Sequence, residues 1–422
     1  MKPYVVGVWM SVCLLSGQQV ESFDAVWGTI AAKHWNPKQL EKLPGGGSWE
    51  SLRPDYRKRV EAAQGQAEVR AILREMIAKI GKSHYAIAGF EAKPSKALRS
   101  GGGTSPGFRV GLVEGKVVVT GVGPLVTDVK LGWELLAVEG VALRPAVLEI
   151  QKQAGETMQA GLRMHQMLQN QIGGYAGETL RYEFLVDGRA AKTVALKLPE
   201  GDGSAGFGFV QGMNVGREFA LVGTGKDVGY FRLDMFLDLV RVLPQFEKAI
   251  QTCVKCRGFV IDLRGNPGGV AVMANAMAGW FVKESGVKLG TMYQRGVDLK
   301  FVVIPRLNGF GGPLAILVDG ASASTSEILA GGMQDLKRAR IFGSRTAGAA
   351  LPSVIESLPN GDLFQFAVAN YVSESGAELE GHGVKPDVEI AHSIAALRAG
   401  KDRVLGAALD WIYANPSHSA QR

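Results

Sequence analysis

The chain has 422 residues, 46% of them hydrophobic and 21% charged, which excludes both an intrinsically disordered chain and a polytopic membrane protein. Single cores seldom grow beyond about 250 to 300 residues, so two or three domains are expected. The formal net charge is +7, but Lys and Arg are scattered and form no basic run, which argues against nucleic acid as a partner.

After Met1 and Lys2, the stretch from Tyr4 to Leu15 is apolar. It is too short to cross a bilayer and suits the apolar region of a secretory leader, the alternative being a buried first helix or strand. Residues 1–22 are therefore read as a signal peptide, with Val20-Glu21-Ser22 as the best small-residue site and no lipobox around Cys13. The mature protein is expected outside the cytoplasm, periplasmic or secreted, with no stable membrane span.

Residues 23–92 are predicted to form a helical bundle. Phe23, Val26, Trp27 and Ile30 recur at helical spacing, as do Val69, Ile72, Leu73, Met76, Ile77 and Ile80. The Gly- and Ser-rich residues 93–106 read as a linker. From Gly107 the pattern changes to short strands: Phe108–Val113, Lys116–Val122, Glu134–Val138, and a hairpin of 180–186 and 192–198 around Asp187-Gly188. This makes 107–199 a separate β-rich module. A helical stretch at 146–171 interrupts it, and His165 there is read as a surface helix residue.

Residues 205–395 read as an α/β domain, and 396–422 as a C-terminal helix and tail. A buried strand at 258–263, a tight turn at 265–269 and a helix at 270–282 are followed by the same grammar at Leu314–Val318, 319–325 and 326–336. Two strand-turn-helix units in succession imply parallel strands, with functional loops at their carboxyl ends. The fold class is multidomain α/β. Cys253 and Cys256 have a spacing that suits a redox pair or half a zinc site, but no further Cys pair or His completes a metal set. They are read as two buried small residues ahead of a core strand.

At the second turn stands Ala321-Ser322-Ala323-Ser324-Thr325-Ser326-Glu327. A hydroxyl held there faces the open amides of a helix start, which offers a nucleophile and an oxyanion hole together. Ser, Thr and Glu are also what a helix cap prefers, so capping alone is an equal reading.

Four segments together resemble the S41 serine peptidases, a superfamily of tail-specific processing proteases, the tricorn core and retinoid-binding relatives. They are Val260-Ile261-Asp262-Leu263-Arg264-Gly265-Asn266-Pro267-Gly268-Gly269, Ala323-Ser324-Thr325-Ser326-Glu327, the run 337–343, and Gly381-His382-Gly383-Val384-Lys385-Pro386-Asp387. The resemblance implies a ClpP/crotonase-like α/β catalytic core and makes Ser324 the nucleophile, with Thr325, Gly268 and Gly269 around the oxyanion. It implies protein or peptide substrates and no metal or other cofactor. Tail-specific members carry a Lys after the nucleophile helix, where this chain has Gly348-Ala349-Ala350. The resemblance therefore leads to the tricorn-like branch. There His84, preceded by Ser83, would be the base, and Glu380 its carboxylate partner, with Glu378 as a competitor for that role. His382 and Lys385 remain rival bases.

The module at 107–199 resembles a PDZ domain, in which Gly107, Phe108, Arg109 and Val110 would receive a peptide terminus by strand addition. A non-catalytic peptide- or lipid-binding protein on the same scaffold stays open as the alternative function.

Overall fold

The computed structural model describes residues 5–89, 104–154, 159–200, 205–207, 210–213 and 215–416. Most of the expected linker (93–103), His418 and the side chain of Cys13 lie outside the described residues. The chain divides into two compact units, one comprising residues 1–93, 291–300 and 349–372, the other 94–290, 301–348 and 373–422.

In the first unit the helical periodicity is realised in the helices Val5–Lys33, Pro37–Glu41, Trp49–Ala62 and Gln66–Ala78. Ser48 starts the third helix with a reciprocal cap: Ser51 N donates to Ser48 Oγ at 3.2 Å and Ser48 N to Ser51 Oγ at 3.0 Å. The apolar stripes meet in one cluster containing Phe23, Val26, Ile30, Trp49, Val69, Leu73 and Met76. Leu358, Phe364 and Phe366 close that cluster from a three-stranded antiparallel sheet of Ala86–Ala88, Leu363–Ala367 and Ser353–Ser357. The strand residues come from nearly three hundred positions away in sequence, and no local pattern announces the association.

A buried ion pair ties the same elements. Arg70 Nη2 donates to Asp362 Oδ1 at 3.0 Å and Arg70 Nε to Oδ2 at 3.2 Å, with both side chains almost fully enclosed. Gln66 and Asn360 donate to the same carboxylate. Gly89 is required beside the pair, because a Cβ there would lie 2.0 Å from the Arg70 guanidinium carbon.

The second unit holds two large sheets besides a two-stranded antiparallel ribbon of Ala205–Phe207 and Val210–Met213. One has the strand order Phe108–Val113, Lys116–Val122, Glu134–Val138, Thr179–Val186, Ala190–Lys197, all antiparallel, with Phe108–Val113 at an edge. The helices Arg144–Ala154 and Ala160–Ile172 occupy the interruption. Its core is aromatic: the Phe108 ring meets Tyr182 edge-on at 5.1 Å, and Trp133 packs on Phe184.

The other sheet has the order Arg217–Val222, Val228–Leu233, Gly258–Asp262, Leu314–Val318, Arg340–Gly343, Val388–Glu389. Only the first pair is antiparallel. Every residue of Gly258–Asp262 and Leu314–Val318 is buried, as expected for central parallel strands covered on both faces. On one face Phe231, Phe246, Phe259, Phe281 and Phe310 form a chain of ring contacts. On the other, Val404, Ala408 and Ile412 of the helix Arg403–Ala414 cover Val260, Ala315 and Leu317.

Three sequence expectations change. The helix after the first turn is Val272–Ala278, shorter than 270–282, because at both ends the backbone bonds tighten to the i to i−3 kind, Met273 N to Val270 O before it and Trp280 N to Met277 O after it. Cys253 and Cys256 are joined by a disulfide instead of lying as separate buried thiols. His165 is half-buried and not a surface residue, since its ring lies against Gly265 of the first turn.

Asp362→Ala should destabilise the protein by about 3 to 5 kcal/mol, because it leaves the Arg70 guanidinium buried without its partner. Arg70→Met combined with Asp362→Leu should recover much of the loss. Urea unfolding of the single and double variants measures both.

Candidate active site

The turn between Leu314–Val318 and the helix Thr325–Asp335 projects from the carboxyl end of a central parallel strand. Asp319 organises its first half. Its Oδ1 accepts from the amides of Gly265, Ala321 and Ser322 at 2.9 to 3.1 Å. The three serines of the turn differ in environment. Ser322 is fully buried and its Oγ donates to Leu263 O at 2.8 Å, while Ser326 is fully buried and donates to Asn266 O at 2.9 Å. Ser324 alone is partly accessible.

Ser324 has φ 54° and ψ −116°, a backbone conformation that side-chain-bearing residues rarely adopt. Buried Glu327 stabilises it. Glu327 Oε2 accepts from Ser324 N at 3.0 Å, and Oε1 accepts from Thr346 Oγ1 at 2.6 Å and from Gly348 N at 2.8 Å. Its place in the motif suggested a helix cap; the structure adds two further donors and makes it the clamp of the whole turn.

Asn266 joins the two turns. Its side chain donates to Leu233 O at 2.8 Å and accepts from Gly268 N at 2.9 Å, while its carbonyl accepts from Ala323 N at 3.0 Å as well as from Ser326 Oγ. The glycines are sterically required. A Cβ on Gly268 (φ 100°) would lie 2.6 Å from Ser324 Cβ, and one on Gly269 (φ 139°) 2.3 Å from Phe236 O.

Of the expected oxyanion donors, the amide of Gly268 is engaged by Asn266; the amide of the nucleophile candidate Ser324 is likewise engaged, by Glu327. The amides of Gly269 and Thr325 have no acceptor among the described residues, and Thr325 Oγ1 ties the two turns by donating to Gly269 O at 2.8 Å.

The loop carrying Glu380 is bound to the same framework. Gly381 N donates to Gly348 O at 2.8 Å, and Val384 N to Thr346 Oγ1 at 2.6 Å. Glu380 is buried, whereas Glu378, His382 and Lys385 are exposed. Ala349 and Ala350 are buried small residues, with no amino group at this position.

Ser83 and His84 belong to the first unit. Ser83 is buried, and its Oγ lies 2.7 Å from His84 Nδ1. His84 has φ 60°, and burial of its imidazole pushes the pKa from 6.5 down to about 4.

Gly107, Phe108, Arg109 and Val110 lie at the edge strand of the antiparallel sheet. Phe108 and Val110 point into that sheet's core, and Arg109 lines a cavity beside the strand, with its guanidinium across Gly121 of the paired strand.

Beneath the turns lies a charge cluster that the sequence analysis did not single out. Asp262 accepts from Tyr230 Oη, from Arg232 Nη1 at 3.0 Å and from Arg264 at 2.6 to 3.0 Å. Arg264 also forks onto Asp402. Burial raises the Asp262 pKa, yet the two guanidinium groups outweigh it and hold the carboxyl far below its ordinary range. The cluster draws on three segments far apart in sequence, 230–232, 262–264 and Asp402, which the parallel sheet and the start of the C-terminal helix bring together.

The sequence of residues 227–390 matches the model of peptidase family S41. That region belongs to peptidase family S41. The chain is 30% identical over 187 residues to a carboxy-terminal-processing protease of Bartonella bacilliformis, a match covering 43% of this chain and 42% of the relative. The chain thus spans less than half the length of the curated relatives it matches. Among solved structures it is similar to a photosystem II D1 C-terminal processing protease, at TM-score 0.54 and 19% identity over 96% of this chain and 98% of that one. It is similar also to mature CPAF, at TM-score 0.60 and 14% identity over 94% and 96%. Those likenesses establish a shared multidomain α/β fold.

Glu327→Ala removes the acceptor of three donors around the S41 serine turn. Loss of charge-assisted hydrogen bonds of this kind costs about 1.5 to 3 kcal/mol each, so the variant should unfold several kcal/mol more easily. Chemical denaturation reads this directly. Ser322→Ala should also lower stability, whereas Ser324→Ala should leave it nearly unchanged.

Proposed function

We propose that the chain is a serine peptidase acting on proteins or peptides through an acyl-enzyme on Ser324. The observation that carries this reading is the division of labour among the three serines: two are buried and hydrogen-bonded, and the third is accessible at a strained turn beside two glycines. Backbone strain of this kind clusters at functional sites, and the close glycine backbone lets an acyl group approach. The amides of Thr325 and Gly269 receive the oxyanion, with Gly268 providing the space. The family of residues 227–390 and the proteases it is similar to support the same class of reaction.

A Ser hydroxyl needs a general base. In this reading His84 takes the proton, Ser83 orients its ring through Nδ1 and leaves Nε2 for proton transfer, and Glu380 supplies the carboxylate. The burial of Glu380 favours it over exposed Glu378, and the pairing of Ser83 with His84 favours His84 over exposed His382. The edge strand carrying Gly107, Phe108, Arg109 and Val110 serves as a PDZ-like docking strand for substrate. Work outside the cytoplasm fits the disulfide between Cys253 and Cys256, since such bonds persist in oxidising compartments. Among the described residues no helix is long and apolar enough to cross a membrane.

A fluorophosphonate probe should label the wild type and not Ser324→Ala, while a non-catalytic binder would label in neither. His84→Ala should lower kcat by about a thousandfold or more, as expected when a member of a catalytic set acting as a unit is removed. The base works only when neutral. With its pKa depressed to about 4, kcat/KM should hold on acidification through 6.5 and fall as the pH passes through about 4. The same depression makes stability fall between about 6.5 and 4, because the unfolded chain binds the proton first. An acid limb above neutrality, retained in His84→Ala, would transfer the role of base to a lysine.

A further inference from the structure

The second unit contains a cavity of about 680 Å³ between the edge strand Phe108–Val113, the helix Ala160–Ile172 and the carboxyl ends of the core strands. Consecutive residues 109–114 all contribute to its wall. Side chains alternate between the faces of a strand, so an unbroken run of lining residues means that the strand's open edge, with its backbone donors and acceptors, faces the cavity. An edge of this kind accepts an extended segment as an added strand.

The charges around the cavity are unequal in their satisfaction. Asp319 is held by four donors, Glu114 Oε1 accepts from Ile394 N, Arg264 forks onto Asp262 and Asp402, and Arg232 is bound to Asp262 and Asp234. Arg109 has no hydrogen-bond or ion-pair partner among the described residues. It is half-buried, with its guanidinium lying across Gly121, where a Cβ would fall 2.2 Å from Nη2. Burial lowers its pKa and the charge of Arg232 adds to the effect, while Asp234, Tyr230 and Asp262 act on it in the opposite sense from beyond ion-pair distance.

A second unsatisfied donor lines the same cavity. His392 Nε2 lies 3.3 Å from Arg264 Nη1. A guanidinium only donates, so Nε2 is the acceptor and the ring proton sits on Nδ1. That nitrogen is buried with no acceptor among the described residues.

We infer that this cavity selects peptide segments carrying an acidic side chain, bound as an added strand along Phe108–Val113 with the carboxylate on Arg109. Arg109 stands within the strand and not at the Gly107 turn, so the group it meets belongs to a residue lying alongside the strand. This specificity rests on the reading of the chain as a peptidase, to which it adds a substrate class.

The test uses the full chain carrying Ser324→Ala and short C-terminally amidated peptides, with a single Glu stepped through the sequence and a Gln twin for each. Fluorescence anisotropy should show at least one Glu peptide binding about tenfold more tightly than its twin, the scale of one charge-assisted hydrogen-bonded pair. Arg109→Gln should erase the difference, and Arg109→Lys, which keeps the charge but not the planar fork, should weaken it. Equal binding of all twins overturns the inference. So does a preference unchanged in Arg109→Gln or, should that variant not fold, in Arg109→Lys. A Gln peptide with a free C-terminus supplies the remaining arm: an Arg109-dependent gain for that peptide alone would assign the arginine to a terminal carboxylate and overturn the side-chain selection. A wild type that hydrolyses peptides without any Glu preference defeats only this inference. A Glu preference in a chain that neither hydrolyses peptides nor takes the serine probe defeats the peptidase reading.

Discussion

The geometry of the S41 serine turn depends on the carboxylate of Glu327. A serine at φ 54° and ψ −116° is not a conformation the chain adopts on its own account, and something must hold it. Glu327 does so from inside the helix that the turn begins, accepting the serine's own amide on one oxygen and two donors from 346–348 on the other. Because those residues also bond the loop 381–384, one buried charge sets the relative positions of the serine, the small-residue segment after it and the segment bearing Glu380. Three donors on one carboxylate offset much of the cost of taking it out of water.

Asn266 performs the corresponding task for the glycine turn. Its side chain closes the turn onto Gly268 N, and its backbone carbonyl accepts from the serine turn. The two turns are therefore one hydrogen-bonded body, and Gly268 fits between them because it has no Cβ. The same bonds decide which amides remain available: those of Gly268 and Ser324 are engaged in holding the turns, while those of Gly269 and Thr325 have no acceptor among the described residues. The arrangement keeps structural and receptive donors distinct within a few residues.

Much of this was legible in the sequence, for identifiable reasons. Central parallel strands must be apolar on both faces, so 258–262 and 314–318 stand out as continuous runs, and the turns at their carboxyl ends follow. Ser324 was singled out by a motif, but the environments of Ser322 and Ser326 depend on Leu263 and Asn266, some sixty residues away. Helical spacing showed where the helix around His165 lies, yet not which face it turns to Gly265, since a half-polar helix carries two plausible inner faces. The disulfide was missed because a C-x-x-C spacing fits several chemistries and only the backbone path selects one. The packing of Phe364 and Phe366 onto the N-terminal helices joins segments too distant for any periodicity to report.

The charge cluster under the turns shows why placement by topology matters more than by motif. Asp262 and Arg264 stand two residues apart, a spacing that in an isolated strand would put both on one face and both in water. At the end of a buried parallel strand they are enclosed instead, so each needs partners from neighbouring elements: Tyr230 and Arg232 from the adjacent strand, and Asp402 from the cap of the C-terminal helix. The cluster closes its own charges almost completely, and this is what gives an unpaired cation nearby its meaning. A lone arginine on an exposed sheet is solvated and selects nothing. Arg109, half-buried on a wall whose other charges are already bonded, is the position at which we place an incoming carboxylate, because among the described residues it has no hydrogen-bond or ion-pair partner and Asp234 acts on it only from farther away.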